Sequence, residues 1–303
     1  MSTERIILGC GNFGGIGSDL SLVGQGEGRE EAFAVMDAAW ERGVRRFDTA
    51  SSYGGGQSEQ IVGAWLRQRG PRRLALSSKV FHPVHEGDDS GLAPARIRRI
   101  VDESRERLGV ERIDVYLVHE PDPAVALAES LATFAELLRE GSIGAIGVSN
   151  VDAEYLAEAV ALAPIAVVQN EYSLLVRDAE REVLPLCSEH GIEFQAFSPL
   201  AGGWLTGKYT RDATFPAGSR MTLRPGPYAD FVRDDVFDSL EELARRGDPA
   251  TLALAWILGN PRVGAVVVGP RRPAQLEPVW AALELQLNRD ELTELFTWKR
   301  SRS

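Results

Sequence analysis

The sequence predicts an α/β barrel of eight strand–helix units, the (β/α)8 or TIM-barrel class, forming one domain over residues 1–303. Short apolar runs rich in β-branched residues alternate with longer segments of helical periodicity, and eight such runs occur. A length of 303 residues suits one barrel with insertions, because barrels of this class usually take about 250 residues. A doubly wound open sheet shares the alternation and is the rival fold.

The predicted strands follow one another at regular intervals along the chain. They lie at 5–10, 45–50, 74–80, 114–120, 143–150, 166–172, 193–199 and 265–269. Apolar residues at helical spacing predict helices between and after them. The clearest of these helices lie at 29–43, 93–109, 231–246, 248–260 and 274–285. Asp248 and Pro249 predict the start of one helix, as N-cap and first helical residue.

One long irregular insertion, 200–230, follows the seventh predicted strand. Loops of this length are usually functional lids or disordered segments. We expect Trp204, Phe215 and Tyr228 from this insertion to form walls of a pocket, together with loops 14–28 and 81–91.

Composition excludes several classes of protein. The formal net charge of -11 argues against nucleic-acid partners and anionic membranes, both of which attract basic surfaces. We expect no secretory signal, and no stretch of about 18 apolar residues is present. Cys10 and Cys187 lie far apart without metal-ligand spacing, so we expect no disulfide and no metal site. We therefore expect a cytoplasmic protein; nothing in the sequence indicates an oligomeric state.

Four titratable side chains are predicted to meet at one rim of the barrel, because barrel active sites lie at the carboxyl ends of the strands. Asp48, Lys79 and His119 end the second, third and fourth predicted strands, and Tyr53 follows in the loop after the second. Each alone has an ordinary structural explanation, but four complementary groups at neighbouring strand ends favour a catalytic site. The remaining histidines receive no role: His82, His85 and His190.

These four groups suit proton donation by a phenol. A free tyrosine has a pKa of about 10, and a nearby ammonium such as that of Lys79 lowers it. Asp48 would hold the ammonium, and His119 would donate to a substrate carbonyl. Such a site hands a proton to a carbonyl as a hydride arrives. Because no side chain supplies hydride, a nicotinamide or flavin cofactor is required.

The later strand ends resemble a cofactor cradle. Short polar side chains that suit a carboxamide follow the fifth and sixth strands: Ser149, Asn150 and Gln169. Phe197 offers an aromatic face, and the glycines after it let backbone N–H groups approach phosphate. Lys208 and Arg271 supply positive charge. The "GCGNFGG" stretch lacks the Rossmann spacing.

The motifs "FDTASSYGGGQSE", "SSKV", "LVHEPD", "IGVSN", "QNEYSLL", "FSPLAGGWLTGKY" and "VVVGPRRPAQLE" resemble those of the aldo-keto reductases, in family order. The resemblance implies a barrel that uses NADPH, with NADH as the alternative, to reduce aryl, aliphatic or sugar-like carbonyls. It implies Tyr53 as the proton donor of a tetrad with Asp48, Lys79 and His119. It also implies cofactor contacts from Ser149, Asn150, Gln169, Phe197, Ser198, Leu200, Gly202, Lys208, Gly269, Arg271 and Gln275.

Two departures from the family pattern stand out. Phe197 occupies a position where the family often has tyrosine or tryptophan, and Pro278–Val279 stand where it often has Glu-Asn.

Two other functions stay open. The first is a non-catalytic nicotinamide sensor or regulator, as the potassium-channel β subunits of this family are. The second is a metal-dependent hydrolase that uses His119 and Asp48, a role that the neighbouring Lys79 suits poorly.

Overall fold

The computed structural model is a closed barrel of eight parallel strands that pair in chain order. The structure describes residues 2–71, 73–211, 213–285, 287 and 291. The strands are β1 (Ile6–Gly9), β2 (Arg46–Asp48), β3 (Ala75–Val80), β4 (Val115–Val118), β5 (Ile146–Ser149), β6 (Ile165–Glu171), β7 (Glu193–Phe197) and β8 (Ala265–Val268). Because β1 pairs with both β2 and β8, the ring closes. The predicted barrel is confirmed, and the open sheet is wrong.

Helices cover the outside of the barrel. Those that the structure describes are α1 (Arg29–Glu41), α2 (Gln57–Arg69), α3 (Pro94–Leu108), α4 (Leu127–Glu140), α5 (Ala153–Leu162), α6 (Val183–His190), α7 (Arg220–Leu223), α8 (Asp234–Arg246), α9 (Pro249–Gly259) and α10 (Glu277–Glu284). As predicted, Pro249 is the first residue of α9, and the Asp248 carboxylate accepts the N–H of Thr251 at 2.8 Å. Among the described residues, none of these helices combines the length and apolar character needed to cross a membrane.

The insertion after β7 is folded rather than irregular. It contains a 3-10 helix at Ala201–Thr206, then α7, then a second 3-10 helix at Gly226–Phe231. Trp204 is fully buried beneath it, with its ring centroid 5.1 Å from Tyr209 and 5.5 Å from Phe237. The expectation that Trp204 forms a pocket wall is therefore wrong. Its large apolar ring gains more from burial against α8 and anchors the insertion instead.

The barrel interior carries a column of polar side chains. Asp48 Oδ1 accepts from Gln169 Nε2 at 3.0 Å, and the same nitrogen donates to Gln195 Oε1 at 3.1 Å. Gln195 in turn donates to Glu193 at 3.1 Å, and Glu193 forms a two-point ion pair with Arg46. Alternate residues of a strand face the same side, so β2 and β7 each contribute two members. The column supports Asp48 from within the barrel.

Candidate active site

The carboxyl ends of β2, β3 and β4 bring the four predicted side chains together. Lys79 Nζ donates to Asp48 Oδ2 at 2.5 Å and lies 3.4 Å from Tyr53 OH. His119 Nε2 lies 3.5 Å from the same hydroxyl. The phenol oxygen therefore stands between an ammonium and an imidazole. Both contacts are long for hydrogen bonds, as is common in a site without its ligands.

The ion pair beneath Tyr53 is almost completely buried, with side-chain exposures of 1% for Lys79 and 4% for Asp48. A buried pair needs further hydrogen bonds to offset the loss of water. Lys79 also donates to the Thr49 carbonyl at 2.9 Å, and Asp48 also accepts from Ser77 Oγ at 2.7 Å and from Gln169. Because both Asp48 oxygens are occupied, Asp48 suits the support of Lys79 and not the ligation of a metal. The Gln169 nitrogen, expected at a carboxamide, points to Asp48.

Burial sets the charge states of the other two groups. It raises the pKa of Tyr53, and the Lys79 ammonium lowers it only in part. Lys79 therefore acts in the expected direction, but the phenol remains a weaker acid than free tyrosine. Burial also lowers the pKa of His119 well below its usual value, with further lowering by Lys79 and His82. At neutral pH the site thus holds a protonated phenol and a neutral imidazole.

The glycines after Tyr53 allow two loops to meet. Residues 54–56 have left-handed φ angles of 58°, 65° and 84°, which cost little only for glycine. A Cβ on Gly54 would lie 2.7 Å from the Phe13 carbonyl oxygen. The backbone after Tyr53 therefore packs directly on the loop after β1, and this contact aims the phenol into the barrel mouth.

The predicted carboxamide and ring contacts lie at the next strand ends. Ser149 is buried at the end of β5. Asn150 follows with a φ of 57°, and its side-chain nitrogen donates to the His119 carbonyl at 2.9 Å. Phe197 is half-buried at the end of β7, against a small apolar cluster of the interior. These positions place short polar groups and one aromatic face around the barrel mouth.

The predicted phosphate contacts lie in the tight loop 198–203. Positive φ angles occur at Ser198, Ala201, Gly202 and Gly203. Leu200 closes one turn, because its carbonyl accepts the Gly203 N–H at 2.8 Å. Lys208 lies over this loop, with Nζ 2.3 Å from the position that a Cβ on Gly203 would take. Left-handed turns of this kind expose backbone N–H groups to anions, and the ammonium adds charge.

The loop after β8 is built around Arg271. Gln275 Oε1 accepts the Arg271 backbone N–H at 2.7 Å, which fixes the turn. The Gly269 carbonyl accepts from Asn12 of the loop after β1 at 3.0 Å. The Arg271 guanidinium forms an ion pair with Glu27. The site thus offers the half-buried ring of Phe197, the left-handed loop 198–203 and the cations Lys208 and Arg271. Together these groups fit a dinucleotide with an aromatic base at one end.

Two residues that sequence reasoning left without a role stand at this mouth. The His82 ring lies edge-on to His119 with centroids 4.7 Å apart, and its Nε2 is 3.8 Å from a Glu120 oxygen. Its place two residues beyond β3 was a signal in the sequence. Arg220 of α7 donates to the Asn12 side-chain oxygen and so ties the insertion to the loop after β1. The irregular pattern of the insertion offered no signal for Arg220.

Comparison with known proteins agrees with this geometry. The chain is 34% identical over 318 residues to the uncharacterized oxidoreductase YrpG of Bacillus subtilis, covering 97% of this chain and 92% of the relative. It is 36% identical over 275 residues to an NADH-specific methylglyoxal reductase of Escherichia coli, covering 83% and 82%. A glycerol dehydrogenase structure from Gluconobacter oxydans matches with a TM-score of 0.83 and 28% identity, covering 98% of this chain and 95% of that one.

The profile of the Aldo/keto reductase family matches residues 5–297. This match spans the whole barrel, including every strand end that carries a side chain of the site. The chain is therefore a member of the aldo/keto reductase family, a nicotinamide-dependent oxidoreductase.

Proposed function

We propose that this protein reduces an aldehyde or ketone to the alcohol, with Tyr53 as the proton donor. The observation that carries the proposal is the position of the Tyr53 hydroxyl, 3.4 Å from Lys79 Nζ and 3.5 Å from His119 Nε2. A protonated phenol between these two groups can give its proton to a carbonyl oxygen while each neighbour stabilises the charge that develops.

Each member of the tetrad has a separate task. Tyr53 holds the proton and releases it as negative charge builds on the carbonyl oxygen. Lys79 stabilises the resulting phenolate, and Asp48 keeps the ammonium charged and in place. The neutral His119 donates a ring N–H toward the carbonyl oxygen, which orients the substrate. Asp48, Lys79 and His119 are buried and Tyr53 is partly buried, which limits the access of water and strengthens these interactions.

A reduced nicotinamide, when bound, supplies the hydride for this reduction. Phe197 would pack against its ring, with Ser149 and Asn150 at the carboxamide. Gln169 could add only its side-chain oxygen there, because its nitrogen binds Asp48 and Gln195. The pyrophosphate would be held by Ser198, Leu200, Gly202 and Lys208, and the adenosine end by Gly269, Arg271 and Gln275. Arg271 is the residue that favours NADPH over NADH, because an arginine fork matches a phosphate.

The relatives support a substrate class. We propose aryl, aliphatic or sugar-like carbonyls as substrates of this protein. A methylglyoxal reductase and a glycerol dehydrogenase lie among the similar proteins, so small oxygen-rich aldehydes and ketones come first. We propose a panel of methylglyoxal, glyceraldehyde, dihydroxyacetone and benzaldehyde, each assayed with NADPH and with NADH.

The decisive variant is Tyr53→Phe, which removes only the phenol oxygen. Loss of the proton donor should lower kcat by about 100-fold or more. The Kd of NADPH and NADH, measured by quenching of protein fluorescence, should change by less than about twofold, because the ring is kept. Turnover at the wild-type rate in this variant would refute the role of Tyr53.

The wild-type protein provides the control for the alternative function. Binding of a nicotinamide cofactor without turnover of any carbonyl in the panel would favour the non-catalytic sensor. Binding of neither cofactor would reject both functions.

A further inference from the structure

A buried carboxylate faces the arginine of the adenosine end. Glu27 is only 7% exposed. One of its carboxylate oxygens, Oε1, pairs with Arg271. The other, Oε2, is buried and has no hydrogen-bond partner among the residues that the structure describes. A buried carboxylate oxygen without a hydrogen-bond partner costs free energy. A bound ligand that donates a hydrogen bond to Oε2 would remove this cost.

The backbone holds Glu27 firmly in this position. Its N–H donates to the Asn12 carbonyl at 2.8 Å, and its carbonyl accepts from Gly14 at 2.8 Å. A Cβ at the preceding residue, Gly26, would lie only 2.1 Å from the Asn12 oxygen. The loop therefore cannot carry Glu27 away from Arg271 without breaking its contact with the barrel rim.

Arg271 also has hydrogen-bond partners within the protein itself. Besides the pair with Glu27, its Nη1 donates to the Gly218 carbonyl of the insertion at 2.9 Å. The cations that act on the Glu27 carboxylate are Arg271 and Arg220. Burial raises the pKa of Glu27, and these two arginines lower it only in part. The ion pair with Glu27 nevertheless offsets the charge of Arg271 locally.

The two charges have opposite consequences for the two cofactors. In dinucleotide sites generally, a carboxylate accepts a hydrogen bond from the ribose 2′-hydroxyl of NADH, whereas an arginine binds the 2′-phosphate of NADPH. A carboxylate beside a 2′-phosphate is repulsive. We propose that Glu27 sets the cofactor preference: it offsets Arg271 and offers Oε2 to a 2′-hydroxyl, so that the enzyme accepts NADH as well as NADPH. The inference rests on the proposed nicotinamide-dependent reduction.

The test is the ratio of the Kd values for NADH and NADPH, measured by calorimetry without substrate. Glu27→Gln keeps the size of the side chain and removes its charge. The variant should shift the ratio toward NADPH by about tenfold, the scale of one charge–charge interaction in a partly solvated site. Glu30→Gln is the matched control, since Glu30 is exposed on the first turn of α1; its ratio should stay within about twofold of the wild type.

A second variant keeps the test independent of how well Glu27→Gln folds. Arg271→Gln should weaken NADPH binding by less than about fivefold in the wild-type background, because Arg271 must give up its ion pair with Glu27 to bind the phosphate. The same change should cost clearly more in the Glu27→Gln background. An unchanged ratio in Glu27→Gln, or equal costs of Arg271→Gln in both backgrounds, overturns this inference alone. Failure of the wild type to bind either cofactor overturns the proposed function and this inference with it.

Discussion

The buried Asp48–Lys79 pair yields the sharpest prediction about stability. The two side chains are 4% and 1% exposed and 2.5 Å apart, so removing one charge leaves the other buried and unpaired. Such a loss typically costs about 3 to 5 kcal/mol. After Asp48→Asn, Lys79 has only neutral acceptors: the Thr49 carbonyl at 2.9 Å, the Tyr53 hydroxyl at 3.4 Å and the amide oxygen of the substituted side chain. We expect this variant to fall at the upper end of that range.

The reverse variant, Lys79→Met, should cost less. Asp48 then still accepts from Ser77 Oγ at 2.7 Å and from Gln169 Nε2 at 3.0 Å, both of which stabilise the carboxylate. The double variant removes both charges, so its cost should be smaller than the sum of the single costs by about 2 to 3 kcal/mol.

The assay is urea unfolding at pH 7, followed by circular dichroism and by tryptophan fluorescence. The exposed pair Arg98–Glu140, with side-chain exposures of 39% and 46%, provides the matched control. Its Glu140→Gln variant should cost less than about 1 kcal/mol. Additive costs for Asp48→Asn and Lys79→Met, within about 0.5 kcal/mol, would show that the two charges do not stabilise each other. Asp48 could then not be the group that holds the ammonium for Tyr53.

Two further predictions concern the loop after Tyr53 and acid sensitivity. Gly54→Ala combines a φ of 58° with a Cβ only 2.7 Å from the Phe13 carbonyl, whereas Gly70→Ala has a φ of 56° and nothing within 4 Å. Thermal melting should show that Gly54→Ala lowers the free energy of unfolding by at least ~1 kcal/mol more than Gly70→Ala. Only Gly54→Ala should lower kcat. Equal losses of stability would contradict the close packing. The pKa of His119 is depressed in the folded protein, so below its ordinary pKa the unfolded chain binds a proton that the folded chain does not. The free energy of unfolding should therefore fall as pH drops below about 6.5, by up to ~1.4 kcal/mol per pH unit. Urea unfolding at pH 5.5 and 7 should show a smaller difference in His119→Asn, and an identical difference in variant and wild type would exclude His119 as its source.

The local sequence was enough for the strand order and for the strand ends of the site. The strands are short runs that are mostly apolar and can be seen without their neighbours, and a barrel needs only their alternation with helices. Asp48, Lys79 and His119 lie at the end of β2, near the end of β3 and directly after β4, so a count along the chain places them at one rim. The glycines after Tyr53 likewise indicate a backbone that must turn tightly.

Other features depend on contacts between segments far apart in the chain, and no local pattern encodes them. Glu27 meets Arg271 across 244 residues, because closing the barrel places the loops after β1 and β8 side by side. Trp204 was misplaced for the same reason, since its burial depends on α8 packing over the insertion. Burial also decided the pKa of Tyr53, where desolvation outweighs Lys79. The order of residues along the chain specifies which chemical groups lie at the barrel mouth. Which of these groups are paired, buried and charged depends on the folded contacts, because electrostatic energies depend on distance and on exclusion of water.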